Sequence, residues 1–214
     1  MRPHREASSE RGFTLIELLL VIVIIGIIAV PLNNVVIGYF RNTDETTARL
    51  KESHDVQIAS AYWAQDVASI GHRLDGPTYG LVQSIEVGSA TATAAWPYQC
   101  GTGGTVVVRF AWDDFSTAGA NTFTEVTYQT PSGKPTELHR IRCNGSATPA
   151  SDTVMAHELD PAQAPALGCP TLPTTCGTPV PTTVKLTLNL KDPKDRNSSA
   201  YSVTLTGQRR QAQT

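Results

Sequence analysis

One carboxylate stands inside the most apolar stretch of the chain. From Phe13 to Val30, eighteen residues carry a single charge, Glu17, and two weakly polar members, Thr14 and Gly26. Counted on through Val35, Val36 and Ile37, the apolar segment reaches about 25 residues, enough for a helix to cross the ~30 Å hydrocarbon core of a bilayer. A carboxylate at that depth costs about 3 kcal/mol on insertion scales, so it is rare without a partner or a function. A single span has no second helix of its own to supply that partner. It must come from the interface, from another subunit or from the chain's own terminus. A secretory signal peptide would have an apolar run of roughly 7–15 residues and a small-x-small cleavage site. This run is longer and continues Pro31-Leu32-Asn33-Asn34. A plain anchor leaves Glu17 without a purpose, and a buried core helix would show an amphipathic stripe.

The other reactive residue types form no constellation. The five histidines, His4, His54, His72, His139 and His157, lack metal-ligand spacing, and no Gly-x-Ser-x-Gly elbow is present. Asp113-Asp114, or Asp192 with Asp195, could bind calcium, but neither supplies alternating oxygen ligands, so both read as solvated turn residues. Arg140 and Arg142 alternate onto one strand face without interleaved aromatics, which reads as a solvated face. Gly101-Thr102-Gly103-Gly104 lacks a Gly-Lys-Ser/Thr ending and leads into a strand, so it reads as a turn rather than a phosphate loop. Asn144-Gly145-Ser146 and Asn197-Ser198-Ser199 match a glycosylation acceptor no better than chance allows. An extracellular enzyme finds no support, and no cofactor or metal is expected.

The 214 residues suit one membrane segment and one exported domain of about 145–175 residues. The basic leader, with Arg2, Arg5 and Arg11, keeps the N-terminus in the cytoplasm and sends the chain after Phe40 outside. Removing residues 1–12 takes three arginines from 17 Lys+Arg and two glutamates from 19 Asp+Glu, leaving a net charge of −3. That is no footprint for duplex nucleic acid, and no clear nucleic-acid site is expected. Outside the cytosol, Cys100, Cys143, Cys169 and Cys176 read as disulfides with three possible connectivities. Cys169 with Cys176 would close a short Pro/Thr-rich loop and Cys100 with Cys143 would tie a loop to a strand end; this pairing is favoured. Zinc is disfavoured because no Cys-x2-Cys pair or neighbouring His supports it.

The elements that must position these residues follow from periodicity. After Asn42 the pattern turns amphipathic, with Leu50, Ile58, Tyr62, Val67 and Ile70 at roughly helical spacing among charges. No Gly or Pro interrupts 41–70, so one helix is expected from Phe13 to about Ser69, ended by Gly71. At 1.5 Å per residue it runs roughly 85 Å, too long for a domain this small to cover. Tyr62 and Trp63 anchor its second half against a sheet. Residues 71–104 read as a connecting loop with one strand at Leu81–Val87. Thr105–Trp112, Phe123–Gln129 and Glu137–Cys143 alternate as strands, with a turn at Pro131-Ser132-Gly133-Lys134. Val154–Leu159 reads as a short edge strand and Pro161–Pro181 as a proline-rich loop. Thr183–Leu190 and Ala200–Gly207 form a hairpin across the polar loop 191–197. The expected fold class is α+β: a long N-terminal helix packed on an antiparallel β-sheet head.

Gly12-Phe13-Thr14-Leu15-Ile16-Glu17, after a short polar leader with Arg11 and before an unbroken apolar helix, resembles the class III signal of type IV pilins and pseudopilins. The resemblance covers residues 11 to about 31. It implies that a prepilin peptidase cuts between Gly12 and Phe13 and methylates the new Phe13 amine. Glu17 would then pair with the Phe13 amine of a neighbouring subunit, an ion pair that low dielectric strengthens. In pilins a glycine and a proline in the region of Gly26 and Pro31 mark a segment that kinks, and that melts in the filament; here the proline comes a few residues earlier than the common position. The terminal hairpin followed by Gln208-Arg209-Arg210 resembles the larger minor pseudopilins of type II secretion and related minor pilins.

The implied organisation is a cleaved leader (1–12), a transmembrane or filament-core helix (13–40), the exported half of the helix (41–71) and a disulfide-braced head (72–214). The implied protein is a structural subunit, not an enzyme, inserted in the cytoplasmic membrane with its head outside and then built into an extracellular or periplasmic fibre. Its implied partners are other pilin or pseudopilin subunits, prepilin peptidase, the pilus assembly platform and the membrane. A pilus-tip binding module, an adhesin or a DNA-uptake receptor, is the alternative.

Overall fold

The structure, a computed structural model, describes residues 12–73, 80–88, 96–115, 121–170, 176, 177, 179–191 and 201–210. It divides into two compact units, Met1–Ala48 and Arg49–Thr214. One helix, α1 (Leu15–Ser69), contributes to both.

In the first unit α1 is helical at every residue, Gly26 and Pro31 included. Thr14 caps it: its carbonyl accepts from the Glu17 and Leu18 amides at 3.1 and 3.2 Å, and its hydroxyl lies 3.4 Å from the Glu17 amide. Thr14-x-x-Glu17 has the spacing of a capping box, and a carboxylate in the first turn suits the helix dipole. Further on, the hydroxyls of Thr43, Thr46 and Thr47 donate to carbonyls four residues back at 2.8–2.9 Å. These bonds satisfy the hydroxyls within the helix itself, where such back-bonding tends to bend rather than strengthen it.

In the second unit, the stripe Asp55, Ala59, Trp63, Asp66, Val67 and Ile70 recurs at spacings of three and four and is buried. Leu50, expected on that stripe, is exposed instead; it lies outside the spacing that Ala59 and Trp63 set. Among the described residues the head folds as two antiparallel sheets rather than the single one expected. The larger has the order β1 (Ile85–Val87), β2 (Gly104–Phe115), β3 (Asn121–Pro131), β4 (Leu138–Asn144), β5 (Pro149–Ala156). The smaller has the order β6 (Ala166–Gly168), β7 (Thr183–Leu190), β8 (Tyr201–Gln208). Gly133, with φ +86°, occupies the third position of the β3–β4 turn, where Lys134 N–H donates to Pro131 C=O at 3.0 Å.

Several boundaries move from their expected places. The first strand shrinks from Leu81–Val87 to three residues, because Leu81 instead bridges Arg73. The edge strand lies at Pro149–Ala156 rather than Val154–Leu159, where β4 supplies a ladder. Part of the expected 161–181 loop becomes β6, paired with β7. Most of the expected 191–197 loop lies outside the described residues.

Trp63 joins both sheets to the helix. Its ring lies 5.1 Å from Phe110 and 5.2 Å from Tyr128, and its indole N–H donates to Val184 C=O at 3.3 Å. Gly207 lets β8 approach α1, since a Cβ there would stand 2.5 Å from that of Val67. Beside Trp63, Arg140 Nε and Nη2 each donate to the Asp66 carboxylate at 2.6 Å, and Tyr128 OH donates to it at 2.7 Å. Arg140, expected on a solvated face, is therefore buried, because the helix covers that face of β4. Removing one partner of such a pair leaves the other charge stranded. Asp66→Ala is expected to destabilise the head by about 3–5 kcal/mol. The double replacement Asp66→Leu with Arg140→Met should cost much less. Urea unfolding of the full chain in detergent measures both, and equal losses would refute this role.

Candidate functional site

The candidate site is the N-terminal end of α1. Gly12, Phe13 and Thr14 precede the helix, so the Gly12–Phe13 bond lies in non-helical backbone. Gly12 is exposed, and a Cβ there would meet nothing within 4 Å. Phe13 is 77% exposed. Glu17 follows in the first turn, one turn beyond the Phe13 nitrogen. Around it, from Leu15 to Phe40, every large apolar side chain is exposed. Each such side chain is worth about 1.5–3 kcal/mol when buried. Among the described residues, α1 is the one helix long and apolar enough to cross a membrane. Gly26 and Pro31 sit within it as uninterrupted helix.

The head holds the remaining candidates. Cys100 is bonded to Cys143 and Cys169 to Cys176, at S–S distances of 2.01 and 2.08 Å. Asp113 and Asp114 are strand residues of β2, not turn residues. Asp113 is taken up by His72 Nδ1 at 2.9 Å and by the Arg73 amide at 2.6 Å. Asp114 accepts from Thr124 Oγ1 at 2.8 Å and Trp112 Nε1 at 3.2 Å. Their oxygens are thus engaged by protein donors. Asp192 and Asp195 lie outside the described residues, as does the leader through Arg11. Among the described residues no three His, Cys, Asp or Glu side chains converge on a metal-sized site.

Sequence reasoning missed the buried charges. Asp66 stands three residues after Trp63 and four before Ile70, on the apolar stripe, and that spacing was the available signal. Asp55 stands four before Ala59 and accepts from the His157 amide at 3.1 Å, with His157 Nδ1 at 2.8 Å. Burial pushes the Tyr128 phenol well above its ordinary range, and the Asp66 carboxylate beside it adds to the effect. On the surface, His139 lies between Glu137 at 2.9 Å and Asp152 at 2.8 Å. Partial burial opposes its protonation, but these two hydrogen bonds outweigh it and raise the imidazole. The His139 and Lys134 hydrogen bonds hold Glu137 below the usual carboxylate range.

Comparison with protein families shows that residues 7–32 fit the family described as prokaryotic N-terminal methylation motif. No curated protein and no solved structure matches the chain. The matched stretch holds Gly12, Phe13, Glu17, Gly26 and Pro31. The chain therefore carries a type IV pilin-like prepilin signal, the mark of a prepilin peptidase substrate and of a structural protein. With the apolar helix that follows, it marks the chain for membrane anchoring. The full-length protein is expected to remain in the membrane pellet after alkaline carbonate extraction. Ile22→Arg with Ile25→Arg adds about 5–7 kcal/mol to insertion and should release it to the supernatant. Extraction of the unaltered chain would contradict anchoring.

Proposed function

We propose that this chain is a minor pilin or minor pseudopilin, a structural subunit of a type IV pilus-like or type II secretion-like fibre. Prepilin peptidase removes residues 1–12 and methylates Phe13 while the head lies outside the cytoplasmic membrane. The assembly platform then transfers the helix from lipid to fibre. The observation that carries this reading is the methylation motif at residues 7–32, joined to an exposed apolar helix with one carboxylate in its first turn. The transfer exchanges lipid for sibling helices at little hydrophobic gain, so packing is directed by the one polar group that needs a partner. Glu17 pairs with the Phe13 amine of a neighbour and fixes axial register between otherwise uniform helices. Gly26 and Pro31 form the segment where the helix gives way on assembly, since proline lacks an amide donor and glycine has low helix propensity. A head of two disulfide-braced sheets with long connections favours a minor over a bulk subunit.

Intact mass and N-terminal sequencing, in cells with and without active prepilin peptidase, test the processing step. The mature chain is expected to begin at N-methylated Phe13, and Gly12→Ala to stay uncut. Glu17→Ala should be processed normally yet fall ~100-fold in the fibre fraction, the loss expected for one partner of a pair in low dielectric. A chain uncut, or cut after Ala29, in peptidase-active cells would overturn the proposal.

A further inference from the structure

The larger sheet buries two faces. Val108, Phe110, Trp112, Val126 and Tyr128 belong to the core that includes α1. The alternating residues Arg109, Ala111, Phe123, Glu125 and Thr127 point the other way, as the pleat requires, and are buried as well. Residues 96–101 cover that second face. The rings of Trp96 and Tyr98 stand edge-on to Phe123, at 6.0 and 5.1 Å, and Cys100 is bonded to Cys143 of β4.

Beneath this cover lie Glu86 of β1, Arg109 of β2 and Glu125 of β3, all at most 6% exposed. Arg109 Nη1 donates to Glu86 Oε2 at 3.0 Å, and Arg109 Nε is 3.4 Å from Glu125 Oε1. The cover is fastened to the cluster through the backbone of Cys100. Its N–H donates to Glu125 Oε2 at 3.0 Å, and its C=O accepts from Thr127 Oγ1 at 2.7 Å. The groups facing Glu125 are Arg109 from β2, Glu86 from β1, Thr127 from β3 and, from the covering segment, Tyr98 and the Cys100 amide. Its β4 register partner, Cys143, is held in the disulfide and does not titrate. Two carboxylates thus share one guanidinium. Among the described residues of this cluster, ionising both carboxylates leaves a net negative charge in the interior, which is costly unless it takes up a proton or admits water.

We propose that residues 96–101 form a proton-controlled strap, closed over the Arg109 cluster while Glu125 is protonated and loosened when Glu125 ionises, with the Cys100–Cys143 disulfide keeping it attached. Burial, reinforced by the Glu86 charge, pushes the Glu125 carboxyl up to about 7, against the opposing pull of the Cys100 amide, Arg109 and Thr127. The sign follows from proton linkage. The closed head holds this proton more tightly than an open one, so closure is fully favoured below the ordinary carboxylate range. It weakens as pH rises from there through about 7. The switch lies wholly within the head and does not depend on the fibre reading.

Hydrogen exchange of the full chain in detergent micelles, at about pH 5.5 and about pH 8.5 and corrected for intrinsic exchange, tests it on either side of the midpoint. Opening of the 96–101 amides is expected to rise about tenfold or more across that range, while β7 and β8 stay unchanged. Glu125→Gln should keep the strap closed at both values. Glu86→Gln removes the charge that raises Glu125 and should move the transition to lower pH. A pH-independent strap in the unaltered protein, an undiminished rise in Glu125→Gln, or an unmoved midpoint in Glu86→Gln would each overturn the proposal.

Discussion

One continuous helix must satisfy two kinds of surroundings, and the rest of the protein follows from that constraint. From Leu15 to Phe40 large apolar side chains lie on every side of α1 and all are exposed. From Asp55 to Ile70 only one stripe is apolar, and it is buried. The first pattern calls for lipid or identical neighbours, because nothing in water stabilises an all-round apolar surface. The second calls for a packed sheet. Trp63 meets that demand by touching Phe110 and Tyr128 in one sheet and the Val184 carbonyl in the other.

The second half of the helix also carries charge into the core, and this sets its register. A stripe of Ala, Trp, Val and Ile could slide along a sheet at modest cost, but Asp66 cannot leave the fork of Arg140 and the Tyr128 hydroxyl. Asp55 with His157, and Lys51 with Glu158 at 3.2 Å, repeat the tie nearer the start of the head. The exposed Lys51 contributes little by itself, while the buried fork is decisive because either partner alone would be an unpaired buried charge. The same rule governs Glu86, Arg109 and Glu125 on the far face, where the charges do not balance.

The two ends of the chain answer different chemical demands. The N-terminal segment presents an exposed Gly12–Phe13 bond, a helix that begins just after it and one carboxylate in its first turn; Thr14 supplies the start by capping ahead of Leu15. In the head, Cys100 is bonded to Cys143 of β4 and Cys169 to Cys176, and each cross-link restrains the unfolded chain. Cys100 has a second task, since its backbone is what fastens the covering segment to Glu125 and Thr127.

The sequence by itself determined whatever depends on near neighbours. The methylation motif, the apolar run, the amphipathic switch after Asn42 and the two-residue period of β2, β3, β4, β7 and β8 are properties of adjacent residues, and all were legible. Only the tertiary structure decided how the strands divide into two sheets and which charges are interior. Asp66 meets Arg140 across 74 positions, and Asp55 meets His157 across 102. Arg140 looked solvated because alternation reveals that a strand has two faces but not what covers them. Asp113 looked like a turn residue because its partners, His72 and the Arg73 amide, come from about 40 residues earlier. Local pattern fixes which way a side chain points; the cost of burying a charge is settled by what the fold brings to it.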